Sequence, residues 1–251
     1  MPDQGTNMGA GDAPAGRLSA GPGGCRSCAF KPRCLPAELE GEALEHFERA
    51  VSRSTRPLKK GQVLMRQGDA LHALHALRVG ALKAVIQAPD ASERVVAFRL
   101  PGQVIGLAEA GADRWASTLM ALEDSWLCHV PRESLDMDGL GPQLLRLISA
   151  RLRREYQSHL ALASMTAAGR VANFLLDISE SQRRRGLAPD RFTLAMSLID
   201  IASFLGVRHE SVSRTLHDFG QRGLVAHRGR RYEIPSLRAL RGFSANTAIG
   251  R

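Results

Sequence analysis

Apolar and polar positions along the 251-residue chain change rhythm several times. Residues 1–24 are rich in Gly, Ala and Pro with almost nothing to bury, which predicts a disordered tail. A short cysteine-bearing stretch follows, and then Leu39, Leu44, Phe47 and Val51 mark an amphipathic helix. From Lys59 to Pro131 the pattern breaks into short strands: Gln62–Met65, Leu74–Val79, Ala81–Gln87, Arg94–Leu100, Thr118–Ala121 and Ser125–Val130. Turn signals separate them, with Pro89-Asp90 as a hairpin tip and Pro101-Gly102 as a stop. So many short strands in so short a stretch argue for a barrel or jelly roll.

A long helix is predicted from near Pro142, whose ring suits a first turn. Along it Leu145, Ile148, Leu152, Glu155, His159 and Leu162 recur at spacings of three and four, the seam of a two-helix coiled coil. Packing against the barrel would equally explain the apolar members, but not Glu155, because burying an unpaired carboxylate is costly. Helix resumes from Ala167 to about Arg184 and ends in a Gly186–Pro189 loop. Ser197–Leu205 then reads as a short helix stopped by Gly206, and His209–Gln221 as a second one. Val212, Leu216 and Phe219 form the buried stripe of the second helix, leaving Glu210, Ser213, Arg214 and His217 together on its other face.

The expected fold class is therefore α+β: a tail over 1–24, a cysteine segment plus sensor β-barrel over 25–137, a dimerisation helix over 138–165 and a winged helix-turn-helix over 166–251. Composition agrees with a soluble protein, since no run reaches the ~18 apolar residues of a membrane span. The N-terminus lacks the basic start and apolar stretch of a signal peptide, so the cytoplasm is the expected compartment and no membrane partner is expected.

Charge sharpens the picture. Of a net +9, the portion beyond Thr166 carries +7, from fourteen Arg, no Lys and seven Asp or Glu. That asymmetry suits a polyanion, although a solvated arginine-rich surface would look the same. The exposed helix face decides between them. Arg214 can grip guanine O6 and N7 with its fork, and Glu210 can accept from cytosine N4. Arg228-Gly229-Arg230, between short strands, reads as a wing meeting phosphates. Arg208 falls at the helix N-cap, where Ser or Thr would serve better. The partner expected is double-stranded DNA.

Four cysteines in a cytosolic chain argue for metal or redox chemistry rather than disulfides. Cys25, Cys28 and Cys34 fall within ten residues, and Cys128 lies in a strand far away. Spacing alone favours tetrahedral zinc.

The order of cysteine segment, barrel, long helix and winged helix-turn-helix resembles the CRP/FNR family of bacterial regulators, from Cys25 to about Ala245 and most closely its FNR branch. That branch's C-x2-C-x5-C pattern is reproduced by Cys25, Cys28 and Cys34. Its distal ligand, in a strand before a proline, is matched by Cys128 in Cys128-His129-Val130-Pro131. Its E-x-x-S-R motif is matched by Glu210, Ser213 and Arg214. The resemblance implies an oxygen-labile 4Fe–4S cluster on the four cysteines, controlling dimerisation of a regulator of anaerobic metabolism genes. It also implies a homodimer reading an inverted repeat of TTGAT and ATCAA half-sites, and contact with RNA polymerase, for which loop Ala88–Glu93 is a candidate. It gives Glu155 the part of an acidic residue that restrains association.

Two departures from the family stand out. Where the CRP branch holds a cyclic nucleotide through Gly-Glu and Arg-Ser pairs, this chain has Gly106-Leu107-Ala108 and Trp115-Ala116-Ser117. Without the arginine no cyclic nucleotide is expected. Arg33 places a cation just before the third cysteine. The competing readings are a regulator of the same build sensing zinc, nitric oxide or thiol redox state, and a cysteine-dependent enzyme. Against the enzyme stand the lack of a Gly-rich phosphate loop and of any nucleophile motif.

Overall fold

The computed structural model describes residues 24–54, 56–88 and 91–247, without the side chains of 161 and 162. The expected tail up to residue 23, the Pro89-Asp90 hairpin tip and the Leu162 side chain lie outside the described residues.

Two short 3-10 turns, Cys25–Ser27 and Lys31–Arg33, lead into helix α1 (Gly41–Ala50). Eight strands follow: β1 (Ser52–Arg53), β2 (Val63–Met65), β3 (Ala73–Val79), β4 (Leu82–Gln87), β5 (Glu93–Arg99), β6 (Val104–Ile105), β7 (Thr118–Ala121) and β8 (Trp126–Pro131). They pair antiparallel in two sheets, β1-β8-β3-β6 and β2-β7-β4-β5, so the sensor is a two-sheet jelly roll rather than a closed barrel. Side chains alternate across β3. Leu77 joins Leu82, Leu119 and Leu127 between the sheets. Leu74 faces outward and meets Leu35, Leu44, Phe47 and Leu140. That second core is what seats the cysteine segment and α1 on the jelly roll.

His75 also points between the sheets. It is buried, stacks on Trp115 with ring centroids 5.8 Å apart, and shares a 2.9 Å Nδ1–Nδ1 hydrogen bond with His129 of β8. Burial, assisted by His129, pulls its pKa down to about 3. The unfolded imidazole takes up a proton below about pH 6.5, whereas the folded one stays neutral. Stability from this site is thus complete above pH 6.5 and lost as the pH falls, by about 2 kcal/mol at pH 5. Urea unfolding at pH 7 and pH 5 is expected to show that extra acid loss in wild type but not in His75→Phe. Equal losses in both would contradict it.

Helix α2 (Leu140–Ser164) crosses from the sensor, with Pro142 in its first turn. Beyond it come α3 (Ala167–Arg184), β9 (Arg191–Thr193), α4 (Leu198–Leu205), α5 (His209–Gln221), β10 (Ala226–Arg228), β11 (Arg231–Glu233) and α6 (Leu237–Ala245). Strands β10, β11 and β9 make one small sheet in that order. Phe174, Leu175, Leu205, Val212, Leu216, Phe219 and Leu240 belong to this unit's core, which runs on into the sensor through Ala81 and Leu122. The junction is polar as well. Lys83 of β4 pairs with Asp200 of α4 at 2.7 Å, and the Val95 N–H donates to Ser203 Oγ at 3.0 Å. Among the described residues no helix is long and apolar enough to cross a membrane.

Candidate metal centre and nucleic-acid interface

The cysteine segment is wound by successive backbone turns. Cys28 N–H donates to Cys25 O at 3.1 Å, Lys31 N–H to Cys28 O at 2.9 Å and Cys34 N–H to Lys31 O at 3.0 Å. This brings Cys25, Cys28 and Cys34 to one pocket whose opposite wall carries Cys128. Phe30 closes the pocket against Gly102. A Cβ there would stand 2.8 Å from the Phe30 ring, and the φ of +85° is itself one that glycine tolerates best. All four thiols are free of disulfides. Burial pushes Cys34 up to about 12 and raises Cys25 and Cys128, with Arg53 opposing the rise at both. Burial thus favours the protonated form of Cys25, Cys34 and Cys128, and a metal binding there must displace those protons. Among the described residues no three His, Cys, Asp or Glu converge on a single ion.

Several contacts join this segment to its surroundings. Glu48 of α1 accepts from the Arg26 N–H at 2.9 Å, and Glu45 pairs with the Arg26 guanidinium. From α2, the buried Gln143 donates through Nε2 to the Cys34 carbonyl at 3.1 Å, and Arg146 pairs with Glu38. Arg33 is exposed; the cations acting on the thiols are instead Arg53 and Arg78. Neither arginine, nor Gln143, stood out in the sequence. Arg53 lies on a strand too short to show a period.

On α2 the described seam positions separate. Leu145 and Leu152 are exposed at 65% and 49%, and His159 is exposed, whereas Ile148 turns inward against the core beneath the cysteine segment. Tyr156 and Leu160, not expected on the seam, are exposed at 66% and 67%. Glu155 is exposed and pairs with Arg151 at 3.0 Å.

In the C-terminal unit, Ser197 caps α4. Its Oγ accepts from Asp200 N–H at 3.1 Å while the Asp200 carboxylate accepts from Ser197 N–H at 3.2 Å, a reciprocal box that satisfies two orphan donors. Burial works against ionising Asp200, but Lys83 and Ser197 outweigh it and hold its pKa down. Gly206 ends α4 at φ 64°, ψ 37°, a left-handed turn that sets the angle to α5. Arg208 does stand at the α5 N-cap, and its side chain makes no capping bond. Glu210, Ser213, Arg214 and His217 are all exposed on one face of α5, opposite buried Val212, Leu216 and Phe219. His217 shares a 3.0 Å hydrogen bond with Gln221, and His209 lies 3.5 Å from Glu210. Arg228 and Arg230 are exposed at the β10–β11 turn, with Arg230 near Glu123 of the sensor.

Comparison with known proteins agrees with this architecture. The Crp-like helix-turn-helix domain matches residues 169–243, and the cyclic nucleotide-binding domain matches residues 55–137. The chain is 37% identical to the transcriptional activator protein anr of Pseudomonas aeruginosa, over 84% of this chain and 88% of that one. It is 31% identical to the fumarate and nitrate reduction regulatory protein of Escherichia coli K12, over 89% and 91%. Among solved structures, FixK2 from Bradyrhizobium japonicum superposes with a TM-score of 0.69 at 24% identity, covering 76% of this chain and 96% of that one. The first two relatives are a transcriptional activator and a regulatory protein. The chain belongs to the CRP/FNR family of DNA-binding transcription regulators, close to FNR.

Proposed function

We propose that this regulator responds to oxygen through a 4Fe–4S cluster held by Cys25, Cys28, Cys34 and Cys128, and that it works in the cytoplasm on genes of anaerobic metabolism. The observation that carries the reading is four free thiols lining one pocket, three on a turn-built segment and one on a paired strand. The donor set fits the group: a cubane has four irons, each needing one protein ligand beyond its sulfides. A single zinc ion could use the same four thiolates at ~2.3 Å, so a metal assay has to separate the two. When bound, such a cluster supplies an oxygen-labile cross-link between segment and jelly roll. Chromatography without oxygen, then absorbance, iron and sulfide assay, tests this. Four irons and four sulfides per chain are expected, lost in air; stoichiometric zinc would overturn the reading.

The output is a homodimer on double-stranded DNA, an inverted repeat of TTGAT and ATCAA, with RNA polymerase contacted from elsewhere on the surface. Support for the dimer is the apolar row of Leu145, Leu152, Tyr156 and Leu160, exposed among the described residues and larger than scattered surface residues require. Gln143 and Ile148 give the cysteine segment a direct hold on the same helix. No cyclic nucleotide is proposed, because buried Trp115 and Leu107 occupy the stretches that would face one.

Glu155 flanks the exposed row, next to Tyr156 in the chain, so two copies packed through that row would bring two carboxylates near each other in a partly desolvated interface, where like charges repel. Its pairing with Arg151 is an i,i+4 contact with only the Glu155 end fully in solvent, and such helix-surface pairs are worth only ~0.3–0.5 kcal/mol. Glu155→Ala is expected to dimerise and bind operator in air. Sedimentation of aerobic wild type and mutant measures it, and an equally monomeric mutant would remove Glu155 from the switch.

A further inference from the structure

Arg53 stands at the join between the two walls of the cysteine pocket. Its strand has two residues, yet it is pinned to β8. Ser54 N–H donates to Leu127 O at 3.0 Å, Ser54 Oγ donates to the same oxygen at 2.8 Å, and Leu127 N–H donates back to Ser54 Oγ at 2.9 Å. In that register Arg53 lies directly across from Cys128. Its Nη2 donates to Cys25 Sγ at 3.8 Å, and the same guanidinium acts on Cys128 as charge and hydrogen-bond donor. One side chain thus reaches a thiol of the N-terminal segment and a thiol of the jelly roll.

The neighbouring charges leave this part to Arg53. Glu48 also faces Cys25, but it is engaged by the Arg26 N–H. Arg78 acts on Cys128 from the jelly-roll side. The Lys31 amine is directed to the Ala37 carbonyl at 3.3 Å.

We propose that Arg53 is a positioning residue for the cluster, donating to the Cys25 and Cys128 thiolates together, so that it holds the segment on the jelly roll and favours the more negative cluster state. This rests on the iron–sulfur reading above. A guanidinium is suited to it because its donors form a rigid planar fork, whereas an ammonium is a point charge on a flexible stem. Hydrogen bonds to sulfur and local charge are among the factors that set the potential of such clusters. No bond is made or broken in this role. In the potential measurement one electron enters the cluster from the mediator and leaves by the same route.

The test uses the full chain purified without oxygen, as wild type, Arg53→Met and Arg53→Lys. Iron and sulfide are counted first. A wild type without four of each would overturn the iron–sulfur reading itself, separately from anything the variants show. With wild type loaded, Arg53→Met is expected to have a more negative midpoint potential in a mediated titration. It should also lose iron to a chelator about tenfold faster, the equivalent of one hydrogen bond to a charged group. Arg53→Lys should recover most of the potential but not the iron retention, since one ammonium cannot span both sulfurs. Potential and iron loss in Arg53→Met equal to wild type would overturn the proposal. If Arg53→Met fails to fold, Arg53→Lys decides, and iron retention equal to wild type would overturn it.

Discussion

Cys128→Ser is expected to purify without a four-iron cluster and, under anaerobic conditions, to bind operator no better than random DNA. The loss should be on the order of 10³-fold or more, the usual gap between specific and non-specific binding. The size of the effect follows from where this thiol sits. β8 is paired on both sides, with Arg53 of β1 opposite Cys128 on one edge and Ala76 of β3 on the other, so the strand cannot move to offer a substitute. The other three thiols lie on a segment held by turns and a few hydrogen bonds. Without the fourth ligand nothing ties that segment covalently to the sheet. Serine keeps the shape of the side chain, so the mutant should unfold at the same temperature as air-exposed wild type, which separates lost cluster from lost fold. Normal iron and sulfide content in Cys128→Ser would show that another residue is the fourth ligand.

Much of this build is legible in the sequence where an element is long and its two faces differ. The bounds His209–Gln221 and Ala167–Arg184 match helices α5 and α3, because each has several turns of contrast and a clear stop. Strands β1 and β6 have two residues each, and two residues have no period to detect. Helix α6 was missed although a signal existed: Ser236, whose hydroxyl caps it by accepting from Ala239 N–H, precedes Leu237 and Leu240. Strand β9 escaped because Arg191 and Thr193 flank a single buried Phe192.

The site was legible by chemistry and less so by geometry. Cysteine spacing shows which thiols belong together, but not which cations stand beside them. Arg33 is adjacent in sequence yet exposed, while Arg53 is distant and in contact. The α2 seam illustrates the same limit. A three-and-four repeat says that Leu145, Ile148 and Leu152 share a face, without saying whether a neighbour in the same chain claims one of them. Here the core under the cysteine segment takes Ile148, and the exposed row continues through Tyr156 and Leu160. Periodicity records the helix's own geometry; competition between its neighbours is decided by three-dimensional packing.

On the DNA side, Arg214→Ala is expected to cost ~1–3 kcal/mol on the cognate inverted repeat, between about fivefold and a hundredfold or more in affinity. It should also level the preference for guanine at one position in each half-site. The structure leaves Arg214 exposed in the second turn of α5, on the face shared with Glu210 and Ser213. Two copies related by the dimer axis would present this face to successive major grooves, which is how an inverted repeat is read. Arg230 provides the contrast. It sits at the wing turn; if it meets phosphate rather than base, as proposed, Arg230→Ala should weaken binding to every sequence alike and flatten its dependence on salt. Titrations on operator and random DNA at several salt concentrations separate the two. If Arg214→Ala lost equally on both DNAs while keeping the wild-type guanine preference, α5 would be positioned by Arg214 and read through another side chain.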